Sequence, residues 1–119
     1  MSDRAWPIDM SVLAETAGPR AAAMLPNLIP IYLEDGDLLM RWLTEAMQRG
    51  EATKMQQAAH RLKGNSASLG VLSVARLAQE LETLGNAGEL TTAVQPFTAL
   101  VEEYDKVKLA LLDMVSQVE

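Results

Sequence analysis

The chain has 119 residues, a length that suits one domain with one core and is too short for two. With 49% hydrophobic and 22% charged residues it is not a disordered chain, and with no cysteine it has neither a disulfide scaffold nor a thiolate metal site. A net charge of −6 argues against nucleic-acid binding, and no run reaches the about 18 apolar residues of a membrane span, so a soluble, cytoplasmic protein is expected.

Ile8 and Asp9 open a short helix, with Asp9 as N-cap and Ile8 stapled to Leu13, and Gly18-Pro19 closes it. Met24, Leu25, Leu28, Ile31 and Tyr32 then recur at helical spacing. Pro26 and Pro30 each remove a backbone hydrogen bond, normally at a cost of about 3 kcal/mol, so this segment is either kinked or begins near Pro26. The acidic run Glu34-Asp35-Gly36-Asp37 reads as a turn. Beyond it Leu38, Leu39, Trp42, Leu43, Ala46 and Met47 form one apolar face that Gly50 ends. A fourth segment runs from Ala52 to Leu69 and stops at Gly70. A fifth shows Val74, Leu77, Ala78, Leu81 and Leu84 before Gly85-Asn86-Ala87-Gly88. The last carries Phe97, Leu100, Val101, Tyr104, Val107, Leu111 and Met114, and Pro96 either kinks it or marks its start.

No β-alternation interrupts this pattern. Short connections favour antiparallel neighbours, so the expected fold is all-α: an up-and-down antiparallel four-helix bundle with one or two short accessory N-terminal segments, in a single domain over residues 1–119. Trp6 and Trp42 are read as packing residues.

The chemistry is expected in the fourth segment. On a wheel of about 100° per residue, Met55, Ala59, Leu62, Ser66 and Leu69 share one face with the spacing of a bundle seam. His60, the only histidine, falls away from that seam with Lys63, Gly64 and Ala67, and is therefore expected to be exposed. A glycine inside a helix costs about 1 kcal/mol against alanine and packs nothing. At i+4 from His60, Gly64 leaves a bare patch where another protein's backbone could approach the imidazole, and Lys63 at i+3 can turn its ammonium toward a group carried by His60. Gln57, at i−3, falls beside the ring, where it could hydrogen-bond the imidazole or a phosphate. The segment from Arg49 to Gln79 holds five basic residues and one acid, although on charge alone an ordinary solvated helix face explains that asymmetry better.

The string Ala59-His60-Arg61-Leu62-Lys63-Gly64-Asn65-Ser66-Ala67-Ser68-Leu69-Gly70, continued by Val74, Leu77, Leu81 and Glu82, resembles the signature of histidine-containing phosphotransfer (HPt) domains. The early IDMSVL, the YLEDGDLL segment, RGE before the histidine helix and the long final helix extend the resemblance over nearly the whole chain. Two departures are the paired prolines of the second segment and an Ala78 smaller than the residue often found there.

The resemblance implies a four-helix bundle without an ATP site, a phosphocarrier rather than an enzyme. Its histidine would exchange phosphoryl groups with the aspartate of response-regulator receiver domains in a phosphorelay fed by a hybrid sensor histidine kinase. Carried over, His60 is the phosphorylated residue, Lys63 the electrostatic helper and Gly64 the close-approach position. Neutral imidazole is a competent nucleophile, and in-line transfer from an aspartyl phosphate needs mainly positioning and charge stabilisation. No cofactor is expected in this chain, and Mg²⁺ is expected on the partner receiver. A monomer is expected. Two rivals are a non-phosphorylated helical adaptor and a small enzyme.

Overall fold

A computed structural model describes residues 7–118, and Trp6 lies outside the described residues. Five helices follow one another: α1 (Met10–Ala17), α2 (Ala21–Arg49), α3 (Ala52–Leu69), α4 (Leu72–Asn86) and α5 (Leu90–Val118). Among the described residues there is no strand, and no helix is long and apolar enough to cross a membrane.

The connections are two or three residues long, too short for anything but a reversal of direction, so α2 to α5 run up and down as an antiparallel bundle. The three reversals between α2 and α5 each use a glycine at positive φ, Gly50 at 68°, Gly70 at 86° and Gly88 at 73°. At 29 residues each, α2 and α5 extend about 43 Å, roughly the long axis of the molecule, whereas the 18 residues of α3 reach only about 27 Å. The short α1 packs against α2 and the last turn of α3, where Thr16 Oγ1 donates to Ser68 O at 2.6 Å. Asp9 caps it through Ser11 and Val12, Ile8 and Leu13 are buried, and the Asp9 amide donates to Gly70 O at 2.7 Å.

The second and third sequence segments are one helix. The expected turn at Glu34–Asp37 is helical, Pro26 and Pro30 lie inside α2, and Pro96 lies inside α5 rather than at its start. Tertiary packing overrides local propensity here. Leu25, Ile29, Tyr32, Leu33, Leu39 and Leu43 carry a continuous buried stripe across the acidic run. Three of the four residues of the apparent turn also have a lateral use. Asp35 accepts from Arg61 at 2.6 Å and from Asn65 at 2.5 Å on α3, while Asp37 accepts from Tyr104 at 2.8 Å and Lys108 at 2.9 Å on α5. Gly36 lies against Tyr104, whose Cε1 would be 2.9 Å from an added Cβ. Between α2 and α3 a buried pair, Tyr32 Oη and Ser66 Oγ at 2.7 Å, adds to these and fixes the register.

Desolvation pushes the Asp37 carboxyl up, and the bonds from Lys108 and Tyr104 outweigh it, so the carboxyl sits below its ordinary 3.8. A depressed folded value stabilises the protein above the unfolded value and ceases to do so as pH falls through the folded one. Asp37→Asn is therefore expected to cost about 0.5–1 kcal/mol at pH 7 and to flatten the fall in thermal midpoint below about pH 5. Acid melting curves that run parallel in the two proteins would exclude this contribution.

Candidate functional site

The site is built where α3 and α4 lie closest. In α3, Met55, Ala59, Leu62 and Ser66 are fully buried and Leu69 nearly so, which turns His60, Gly64 and Ala67 outward as the period predicts. The His60 side chain is 64% exposed. An added Cβ at Gly64 would meet nothing within 4 Å, so the surface one turn beyond the imidazole is open.

In α4, Ala78, Glu82 and Gly85 share a stripe facing α3. Ala78 is completely buried, and an added Cβ at Gly85 would lie 2.9 Å from Gln56 Cβ and 3.0 Å from Ala52 O. Small residues one turn before and one turn after Glu82 thus allow the helices to close up.

Glu82 spans the gap. Its Oε2 lies 2.7 Å from His60 Nδ1, and its Oε1 lies 2.5 Å from Lys63 Nζ, an ion pair without hydrogen-bond alignment. Lys63 also donates to Gln79 Oε1 at 3.1 Å, and Gln79 Nε2 donates to Thr83 Oγ1 at 3.1 Å. The Lys63 ammonium holds the Glu82 carboxyl below its usual range against the opposing effect of desolvation, and the bond to His60 adds to the lowering. An ionised carboxylate can only accept, so Nδ1 carries the proton of a neutral imidazole and Nε2 is left with the lone pair. With the ring largely exposed, Nε2 is the nitrogen available to a partner.

Of the two bonds expected of Gln57, the one to the imidazole is not formed. Gln57 is exposed and lines a hollow with Trp42 and Arg61. The group that orients the imidazole comes instead from the neighbouring helix, which spacing along α3 alone cannot disclose. Glu82 was present in the sequence pattern only as a position after Leu81. Trp42, read as a packing residue, is 43% exposed, with the Arg61 guanidinium 5.9 Å from its ring centroid.

Beside the site a groove of about 710 Å³ runs between α1, α2 and α3, lined by Leu13, Leu28, Ile31 and Leu38 among others. Arg61 and Asn65, held by Asp35, form its edge toward His60. Among the described residues no three His, Asp or Glu side chains gather into a metal-binding group.

No curated protein sequence matches the chain. Its structure is similar to the crystal structure of histidine-containing phosphotransfer protein B (HptB) from Pseudomonas aeruginosa PAO1, with 26% identity, a TM-score of 0.81 and coverage of 96% of this chain and 98% of that one. The Hpt domain family matches residues 27–119, a span that begins inside α2 and takes in the whole of α3, α4 and α5. The chain therefore belongs to the Hpt domain family, histidine phosphocarriers of phosphorelays that work with receiver-domain partners and are not kinases.

Proposed function

We propose that His60 is the residue phosphorylated, accepting a phosphoryl group from the aspartyl phosphate of one receiver domain and passing it to another. The observation that supports this reading is an exposed imidazole whose Nδ1 is committed to Glu82. In the forward step the Nε2 lone pair attacks phosphorus in line with the leaving oxygen. A P–N bond forms, the acyl P–O bond breaks, and its electron pair leaves with the aspartate carboxylate. No proton has to be removed from the nucleophile. The ring keeps its Nδ1 proton and gains positive charge, which Glu82 balances. Onward transfer reverses these bond changes on a second receiver.

Lys63 is the electrostatic helper. Its ammonium rests on Glu82, and a phosphoryl group on Nε2 offers it a stronger anion within reach. Such a pair is worth only about 0.2–1 kcal/mol in open water, and considerably more once a docked partner excludes it. Gly64 leaves room for the partner's backbone, and the groove with Leu28 at its side and Leu13 in its floor takes part of the receiver's apolar surface. In this role the chain works as a cytoplasmic monomer without an ATP site or cofactor of its own. A hybrid sensor kinase supplies the phosphoryl group, and the receivers bring the Mg²⁺. Nothing in the site favours a non-phosphorylated adaptor or a small enzyme.

Receiver domains charged with acetyl phosphate provide the test. Wild-type protein is expected to take up acid-labile, alkali-stable label, and His60→Gln to take up none. Lys63→Ala is expected to slow labelling at saturating receiver by about 10- to 100-fold, and Glu82→Ala by about 10-fold through loss of ring orientation. Label retained in His60→Gln would overturn the assignment.

Gly64→Ala separates folding from docking. With open space around the new methyl and a better helix former in place, stability should rise by about 0.5–1 kcal/mol in urea denaturation. Transfer should nonetheless become slower, because the methyl stands in the partner's path. A variant that is both more stable and equally fast would remove Gly64 from the docking surface.

A further inference from the structure

Trp42 is the feature that the chemistry of His60 leaves unused. It stands on α2 at the edge of a hollow of about 430 Å³ between α2 and α3, whose floor includes the buried Leu39, Ala46 and Ala58. An exposed tryptophan over an apolar floor is costly to leave in water, and tryptophan and arginine are both among the residues enriched where partners anchor. Arg61, which lies over the ring, is itself fixed by Asp35, so the aromatic surface is held in one place before any partner arrives. At the rim, Lys54 is paired with Glu51 at 3.6 Å, whereas Arg49 has no ion-pair partner among the described residues.

The hollow is continuous with the histidine face. Gln57 and Lys54 line it, and they precede His60 on α3 by about 4.5 and 9 Å of helix rise, with Gln57 about 60° round the helix from His60. A specific interface buries about 800 Å² on each partner, a patch of roughly 16 Å radius. A receiver centred over His60 therefore reaches the Gln57 and Lys54 edge of this hollow.

We infer that the hollow beside Trp42 is an anchoring and specificity pocket for the receiver. An aliphatic side chain of the receiver packs on the exposed part of the Trp42 ring, and a neighbouring carboxylate meets Arg49. The inference rests on the relay role proposed above. It assigns recognition to a place about two turns from the reacting nitrogen, so Trp42 is a specificity residue and not a catalytic one.

The test uses a tryptophan-free receiver, charged with acetyl phosphate and selected because it labels wild-type His60. In Trp42→Ala the half-saturating receiver concentration should rise about 10- to 30-fold, while the maximal transfer rate stays within about twofold. Trp42→Phe should recover most of the loss, and Arg49→Glu should raise half-saturation several-fold in low salt and less in high salt. In a Trp6→Phe chain the emission of Trp42 should shift to the blue as this receiver saturates the protein, a readout that needs no folded Trp42 variant. Unchanged half-saturation in Trp42→Ala, a loss confined to the maximal rate, or emission indifferent to the receiver would each overturn the anchor. If labelled receivers leave wild-type His60 without label, the relay role itself fails and the anchor falls with it. If His60 is labelled and only the Trp42 measurements are flat, the anchor alone is wrong.

Discussion

One carboxylate reaching between two helices is the constraint on which the site depends. Glu82 meets His60 with one oxygen and Lys63 with the other, and it can do so only because α4 lies close against α3. That approach is closest at Gly85, one turn from Glu82, where an added Cβ would meet Gln56 and Ala52 of α3. The side chain of Glu82 is only 16% exposed, so its charge is partly withdrawn from water and needs both partners to offset the desolvation. The long helices serve this pair at a distance. Arg61 and Asn65 of α3 are tied to Asp35, Ser66 is bonded to Tyr32, and Lys108 of α5 is tied to Asp37, so α2 locks α3 on one side and α5 on another.

The parts of this arrangement that lie within one helix were legible in the sequence. The bounds of α3, its glycine stop, and the outward turn of His60, Lys63 and Gly64 all follow from a period of 3.6 and a few local signals. The parts that lie between helices were not. Pro26, Pro30 and the Glu34–Asp37 run look like breaks when read locally, yet Asp35, Gly36 and Asp37 are spent on α3 and α5 partners at least 26 residues away. Glu82, rather than Gln57, bonds the imidazole for the same reason. A residue at i−3 is easily placed beside His60 on paper, whereas the register of α4 against α3 depends on packing that no single helix records. Trp42 fails differently: the apolar face of α2 is wider than the sector its neighbours can bury, and Trp42 stands at its margin.

A phosphocarrier also has to meet unlike partners with one reacting centre, and the geometry shows how the two demands can be kept apart. Around His60 the surface is spare: a glycine, an alanine and a lysine already engaged by Glu82. Little there could distinguish one receiver from another, since in the proposed relay every receiver presents the same aspartyl phosphate to Nε2. Side chains that project are found farther out, Trp42 on one flank and Ile31 on the other, both on α2 and both exposed. Discrimination carried by such flanking contacts changes how long a partner stays, which is where most affinity differences arise, without touching the alignment of the imidazole. The α3/α4 approach leaves no room for a side chain at Gly85, whereas Trp42 and Ile31 of α2 stand in open solvent. In the proposed relay, chemistry is confined to the pair of helices that cannot move apart, and choice of partner to the helix beside them.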